Sequence, residues 1–107
     1  GYSIAAADTD RLSKSVWAMR RALQYHPGAL QHFKLDLRLE SKLKRLVSKY
    51  QRRSHGLPDK DAFFMQASLY YLLEDKNSCF EAISRSKEAN DYSDSAKNLY
   101  YMAENYL

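Results

Sequence analysis

Cysteine, glycine and proline are scarce in this chain, and each scarcity excludes something. Cys79 is the only cysteine among 107 residues, so no intrachain disulfide forms. It sits in Asn77-Ser78-Cys79-Phe80-Glu81 with no histidine nearby, which makes it a small packing residue rather than a nucleophile. Three glycines and two prolines in the whole length argue against an all-β fold, which needs a turn about every 8–12 residues. The glycines are scattered, so no glycine-rich loop exists to cradle phosphate. No run approaches the roughly 18 apolar residues of a membrane span. The three histidines, His26, His32 and His55, lack the three- or four-residue helical spacing of a metal pair. Neither a metal, a cofactor nor a catalytic constellation is expected, and the chain reads as non-enzymatic.

Apolar residues make up 45% of the sequence and aromatics 13%, which excludes an intrinsically disordered chain. The length suits one domain covering residues 1–107. The chain opens on Gly1 rather than Met, as expected where an upstream signal or anchor has been removed, and the compartment stays open. The net charge of +4 is unevenly distributed. Residues 34–53 hold eight cations against Asp36 and Glu40, whereas residues 54–107 hold five cations and nine acids. Such polarity steers a partner or draws two halves of one domain together.

Helical periodicity dominates. Residues 9–25 place Leu12, Val16, Met19 and Leu23 on one stripe after a cap at Asp8 or Thr9. His26-Pro27-Gly28 ends that segment. Residues 29–53 are expected as one long basic helix. Phe33, Leu35, Leu37 and Leu39 alternate as a strand would, but Leu39, Leu43, Leu46, Val47 and Tyr50 keep a 3.6 period with no breaker between. After the loop Ser54–Asp59, residues 59–75 form a mostly apolar helix capped by Asp59. Residues 78–90 open on Ser78 and Glu81, the spacing of a capping box. Residues 94–107 form a final helix that is apolar to its end, as in a capping helix or a chain cut from a longer one.

Segments three and five resemble each other. Leu69-Tyr70-Tyr71-Leu72-Leu73-Glu74-Asp75 aligns with Leu99-Tyr100-Tyr101-Met102-Ala103-Glu104-Asn105 at an offset of 30. At an offset of 34, Ala62 meets Ala96, Met65 meets Leu99 and Leu73 meets Leu107. The second spacing is that of a known helix–turn–helix repeat. Two stretches then resemble the tetratricopeptide repeat family: Ala22-Leu23-Gln24-Tyr25-His26-Pro27, and Leu69 through Ala89 with Cys79-Phe80-Glu81-Ala82-Ile83 at its centre. Tyr70, Asn77 and Ser86 depart from the family's small residue, turn glycine and aromatic.

The resemblance implies an all-α domain of about five helices, with antiparallel hairpins stacked in a short right-handed superhelix. It implies a protein–protein interaction or scaffold module whose partner is a protein or peptide. Its concave groove would be lined by Phe64, Ala67, Tyr71 and Glu74, then Asn98, Tyr101 and Asn105. No lysine stands where a clamp for C-terminal carboxylates would need one.

A second feature needs no resemblance. Lys34, Arg38, Lys42, Arg45, Lys49 and Arg52 or Arg53 recur every three or four residues and so share one helical face. This stripe is either a solvated face whose long stems cover apolar neighbours or an anion-binding surface for nucleic acid, anionic lipid or an acidic protein. Only Tyr50 interleaves it with an aromatic, so base stacking has little to work with.

Overall fold

The computed structural model describes residues 2–26, 28, 36–54 and 59–105, with side chains from residue 14 onward except that of Ser54. Among the described residues there are five α-helices and no strand. They are α1 (Tyr2–Tyr25), α2 (Leu37–Ser54), α3 (Lys60–Leu72), α4 (Lys76–Glu88) and α5 (Asp94–Glu104). The chain is all-α. Among the described residues no helix is long and apolar enough to cross a membrane.

Three boundaries differ from the sequence expectation. The first helix runs straight through Asp8 and Thr9. Ala5, Ala6 and Ala7 lie just before them, and alanine has the highest helix propensity. The long basic helix is shorter than expected. Asp36 is non-helical, its carboxylate accepts the Leu39 amide at 2.8 Å, and Leu37 to Leu39 are already helical. The expected strand-or-helix stretch before Asp36, with Phe33, Lys34 and Leu35, lies outside the described residues, as does His55. Finally, Ser78 is not a cap. Asp75 caps α4 by accepting the Ser78 amide at 3.2 Å, and Glu81 pairs with Arg85 at 2.6 Å instead of reaching back.

The expected cap of α3 at Asp59 is present, and α5 is capped by Ser93. Asp59 accepts the Ala62 amide and Ser93 accepts the Ala96 amide. Helices α3 and α4 both end in Schellman turns. Asp75 N–H donates to Tyr70 and Glu74 N–H to Tyr71; Asp91 N–H donates to Ser86 and Asn90 N–H to Lys87. The left-handed residue is Glu74 in the first turn (φ 62°) and Asn90 in the second (φ 69°). Asparagine tolerates that conformation, and the second turn carries Asp91 back under Ser86.

Helices α3 and α4 form the most intimate pair, and α3 is buried along most of its surface. Helix α2 lays Leu43, Val47 and Tyr50 against α3. Helix α5 packs on both α4 and α1 and buries Ala96, Leu99, Met102 and Ala103. Helix α1 lies across α5 and α3 and makes few contacts with α2. It meets α2 where Tyr50 hydrogen-bonds Ser15. The first helix therefore covers the face that α3 and α5 share.

Candidate functional site

That covering decides the fate of the expected groove. Phe64 is fully buried and Ala67 with it, and Tyr71 is only 8% exposed. The Arg20 guanidinium of α1 sits 4.2 Å above the Phe64 ring centroid. Asn98 is half-buried and donates to the Leu23 carbonyl of α1 at 2.8 Å. Phe64 and Tyr71 are thus core residues, and Asn98 is a tie between α5 and α1. Glu74, Tyr101 and Asn105 remain exposed, with Asn105 turned onto the Tyr101 carbonyl. The expected lining does not form one open surface.

The tie that holds α1 in place is a polar cluster that sequence reasoning missed. Arg20 lies on the apolar stripe between the buried residues Val16 and Leu23. It reaches Asp61 at 2.7 Å and Asp91 at 2.8 Å. It also donates to the hydroxyls of Ser93 at 2.8 Å and Ser95 at 3.2 Å. Asp91 accepts from Ser86 Oγ at 2.8 Å and from Ser93 Oγ at 2.8 Å. Burial alone would raise the Asp91 carboxyl, but the hydrogen bonds from Arg20, Ser86 and Ser93 outweigh it and hold the group below its ordinary value. Burial likewise opposes the Arg20 charge, and the two carboxylates win, raising it. Each member has a partner, so the cluster is an organiser of four helices rather than a reactive centre. Its sequence signal was a lone cation on an apolar stripe.

The outer face of α1 presents the opposite case. Trp17, Arg21 and Tyr25 stand at successive fours, and both rings are more than 60% exposed. Arg21 bridges them, its guanidinium carbon 4.8 Å from the Trp17 centroid and 5.6 Å from that of Tyr25. Asn98 ties α5 to this end of α1, and one turn further along α5 the exposed Tyr101 stands at 68%.

On α2 part of the expected stripe lies on one exposed face. Arg38, Lys42, Arg45, Lys49 and Arg52 are exposed, and among the described residues none pairs with a carboxylate. Lys44, off the stripe, pairs with Glu40, and Arg53 is drawn away to Asp59 at 2.9 Å. The apolar side of the same helix is covered by α3. Lys34 lies outside the described residues.

Cys79 is buried, and burial followed by the nearby charge of Asp75 pushes its thiol up to about 12, so no thiolate forms near neutral pH. Among the described residues no three histidine, cysteine or carboxylate side chains converge to hold a metal. His26 is exposed just beyond α1. No protein-family model, no curated protein and no solved structure matches the chain.

Proposed function

We propose that the chain is a non-catalytic protein–protein interaction module, tetratricopeptide-like in its central hairpin. The observation that carries the interaction reading is the exposed Trp17–Arg21–Tyr25 ladder. Tryptophan, arginine and tyrosine dominate binding hot spots because they give large contact areas with a polar handle. Two such rings held side by side in water have a cost that a partner relieves.

The repeat resemblance draws support from register. The caps Asp59 and Ser93 stand 34 positions apart, which places Ala62 with Ala96 and Met65 with Leu99, all four buried. Ala82, the small residue of the resemblance, is buried. Helix α1 stands outside that register and lies across α3 and α5. The partner surface is therefore assigned to the outside of α1 and Tyr101, and no longer to Phe64 and Tyr71.

Trp17 is the sole tryptophan, so its emission reports on this surface alone. Immobilised chain is expected to retain a partner, and soluble partner is expected to shift the Trp17 emission to the blue. The double variant Trp17→Ala, Tyr25→Ala should lower the affinity at least about thirtyfold, two hot-spot residues being involved. Its helical spectrum should stay unchanged. Undiminished retention by the variant would remove the assignment.

A second reading is favoured by the five exposed cations of α2 that pair with no carboxylate among the described residues. Over 14 residues they form a row about 21 Å long at 1.5 Å per residue, suited to a linear polyanion. Because α3 covers the apolar side of α2, insertion into a lipid surface is closed to it. Duplex nucleic acid is the fitting ligand, held by its phosphates without base reading. With up to five phosphates neutralised, log K should fall against log salt with a slope of about −4 to −5. The triple variant Lys42→Glu, Arg45→Glu, Lys49→Glu should bring that slope to about −2 or shallower. A salt-independent signal, or no binding at low salt, would defeat this reading.

A further inference from the structure

A cleft of about 210 Å³ opens between α4 and α5, away from the α1 ladder and the α2 stripe. Its floor is apolar, formed by the buried Ile83 and Ala96. The small side chain of Ala96 leaves the space that a larger residue would fill. Two tyrosines line it. Tyr92 is 63% exposed at the lip, its hydroxyl donating to Asn90 at 3.3 Å. Tyr100 is half-buried and backed by Phe80, the two ring centroids 5.4 Å apart. Two ammonium groups complete the cleft. Lys87 lies 5.2 Å from the Tyr100 ring centroid, and Lys97 stands on α5. Both lysines are exposed, and among the described residues neither pairs with a carboxylate.

The combination selects a ligand class. Apolar floor and tyrosine walls favour a flat ring, because aromatic rings stack at a few ångströms with a gain beyond area burial. Two lysines without anionic partners favour a negative charge on that ring's edge. The volume falls below the roughly 300–1,000 Å³ of a drug-sized site, so the occupant is about one ring in size. The one acidic residue at the cleft does not oppose this. The Asp91 side chain is only 2% exposed and its charge is answered by Arg20 at 2.8 Å. We infer that the α4–α5 cleft binds a small aromatic carboxylate, its ring between Tyr92 and Tyr100 and its carboxylate on Lys87 and Lys97. This assignment is independent of the partner surface on α1.

The chain has two isoleucines, Ile4 and Ile83, so isoleucine methyl labelling gives one reporter on the cleft floor and one internal control. Titration of the full chain with benzoate should move the Ile83 methyl signal saturably, with a Kd on the order of 1 mM. Neutral benzamide and non-aromatic cyclohexanecarboxylate should each bind at least about tenfold more weakly. Lys97→Met, a surface change that leaves the fold intact, should weaken benzoate to the level of benzamide. Ala96→Leu should abolish the shift by filling the cleft, and Tyr92→Ala should weaken it if that fuller core fails to fold. No saturable Ile83 shift would overturn the site. Equal binding of benzamide would overturn the role of the lysines, and equal binding of cyclohexanecarboxylate that of the tyrosines.

Discussion

Replacing Arg20 with methionine is expected to destabilise the domain by about 3–5 kcal/mol, the usual result of removing one partner of a buried charge pair. The size follows from what the change strands. The Asp91 side chain is 2% exposed, and among the described residues its charge is matched by Arg20 alone. Ser86 and Ser93 still donate to it after the change, but hydroxyls do not neutralise a carboxylate. The stacking of the guanidinium over Phe64 goes as well, worth about 0.5–2 kcal/mol. A domain of this size has a total of about 5–15 kcal/mol, so the variant should melt more than about 12 °C lower. Asp91→Asn should cost less, about 1–3 kcal/mol. It leaves Arg20 its second carboxylate, Asp61, which is 40% exposed and keeps water within reach. A loss below about 1 kcal/mol for Arg20→Met in chemical denaturation would mean that the cluster does not organise the fold.

The same pair sets the pH dependence. Asp91 is held below its ordinary value in the folded chain. Its contribution is complete above the unfolded carboxylate value near ~4 and is lost as pH falls through the folded value. In Arg20→Met the stranded carboxyl instead takes up a proton readily, because burial is no longer opposed by a cation. The stability gap between wild type and variant should therefore begin to narrow above about pH 4, as the stranded carboxyl protonates, and stop narrowing only once pH has fallen below the lowered wild-type value. The raised value of Arg20 acts the other way. Its contribution is intact below the ordinary arginine value and fades only above it, outside any practical measurement.

Why this cluster escaped the sequence is a matter of distance along the chain. The partners of Arg20 stand 41, 71, 73 and 75 residues away. Local periodicity carries no such information. What periodicity does carry was legible. Val16, Leu23, Leu43, Val47 and Tyr50 are all buried, and the caps at Asp59 and Ser93 start the helices expected there. The all-α class followed from the same signals. The misplacement of the α4 cap had a local cause, since two oxygens three residues apart competed for one turn. The Schellman turn at Glu74 settled it by leaving Asp75 at the entrance to α4. The groove failed for a different reason. Periodicity marks Phe64 and Tyr71 as apolar faces of α3, but it does not say which helix covers them. Helix α1 covers Phe64 from the far end of the chain.

Phe64→Ala separates those two positions in a single measurement. A residue lining an open groove loses binding on truncation and leaves stability within about 0.5 kcal/mol. Phe64 has no exposed surface, so truncation opens a cavity, and the expected cost is about 3–5 kcal/mol. Tyr101→Ala is the matched control on α5. At 68% exposure it should stay within about 0.5 kcal/mol of wild type while weakening the partner bound by Trp17 and Tyr25. The combination of Phe64→Ala with Arg20→Met should be clearly less damaging than the two losses added together. The guanidinium and the ring touch, and each single change already removes their contact. Additivity in that cycle would mean that Arg20 acts through its carboxylates alone. A marked shortfall would show that the contact between Arg20 and Phe64 itself helps to hold α1 down.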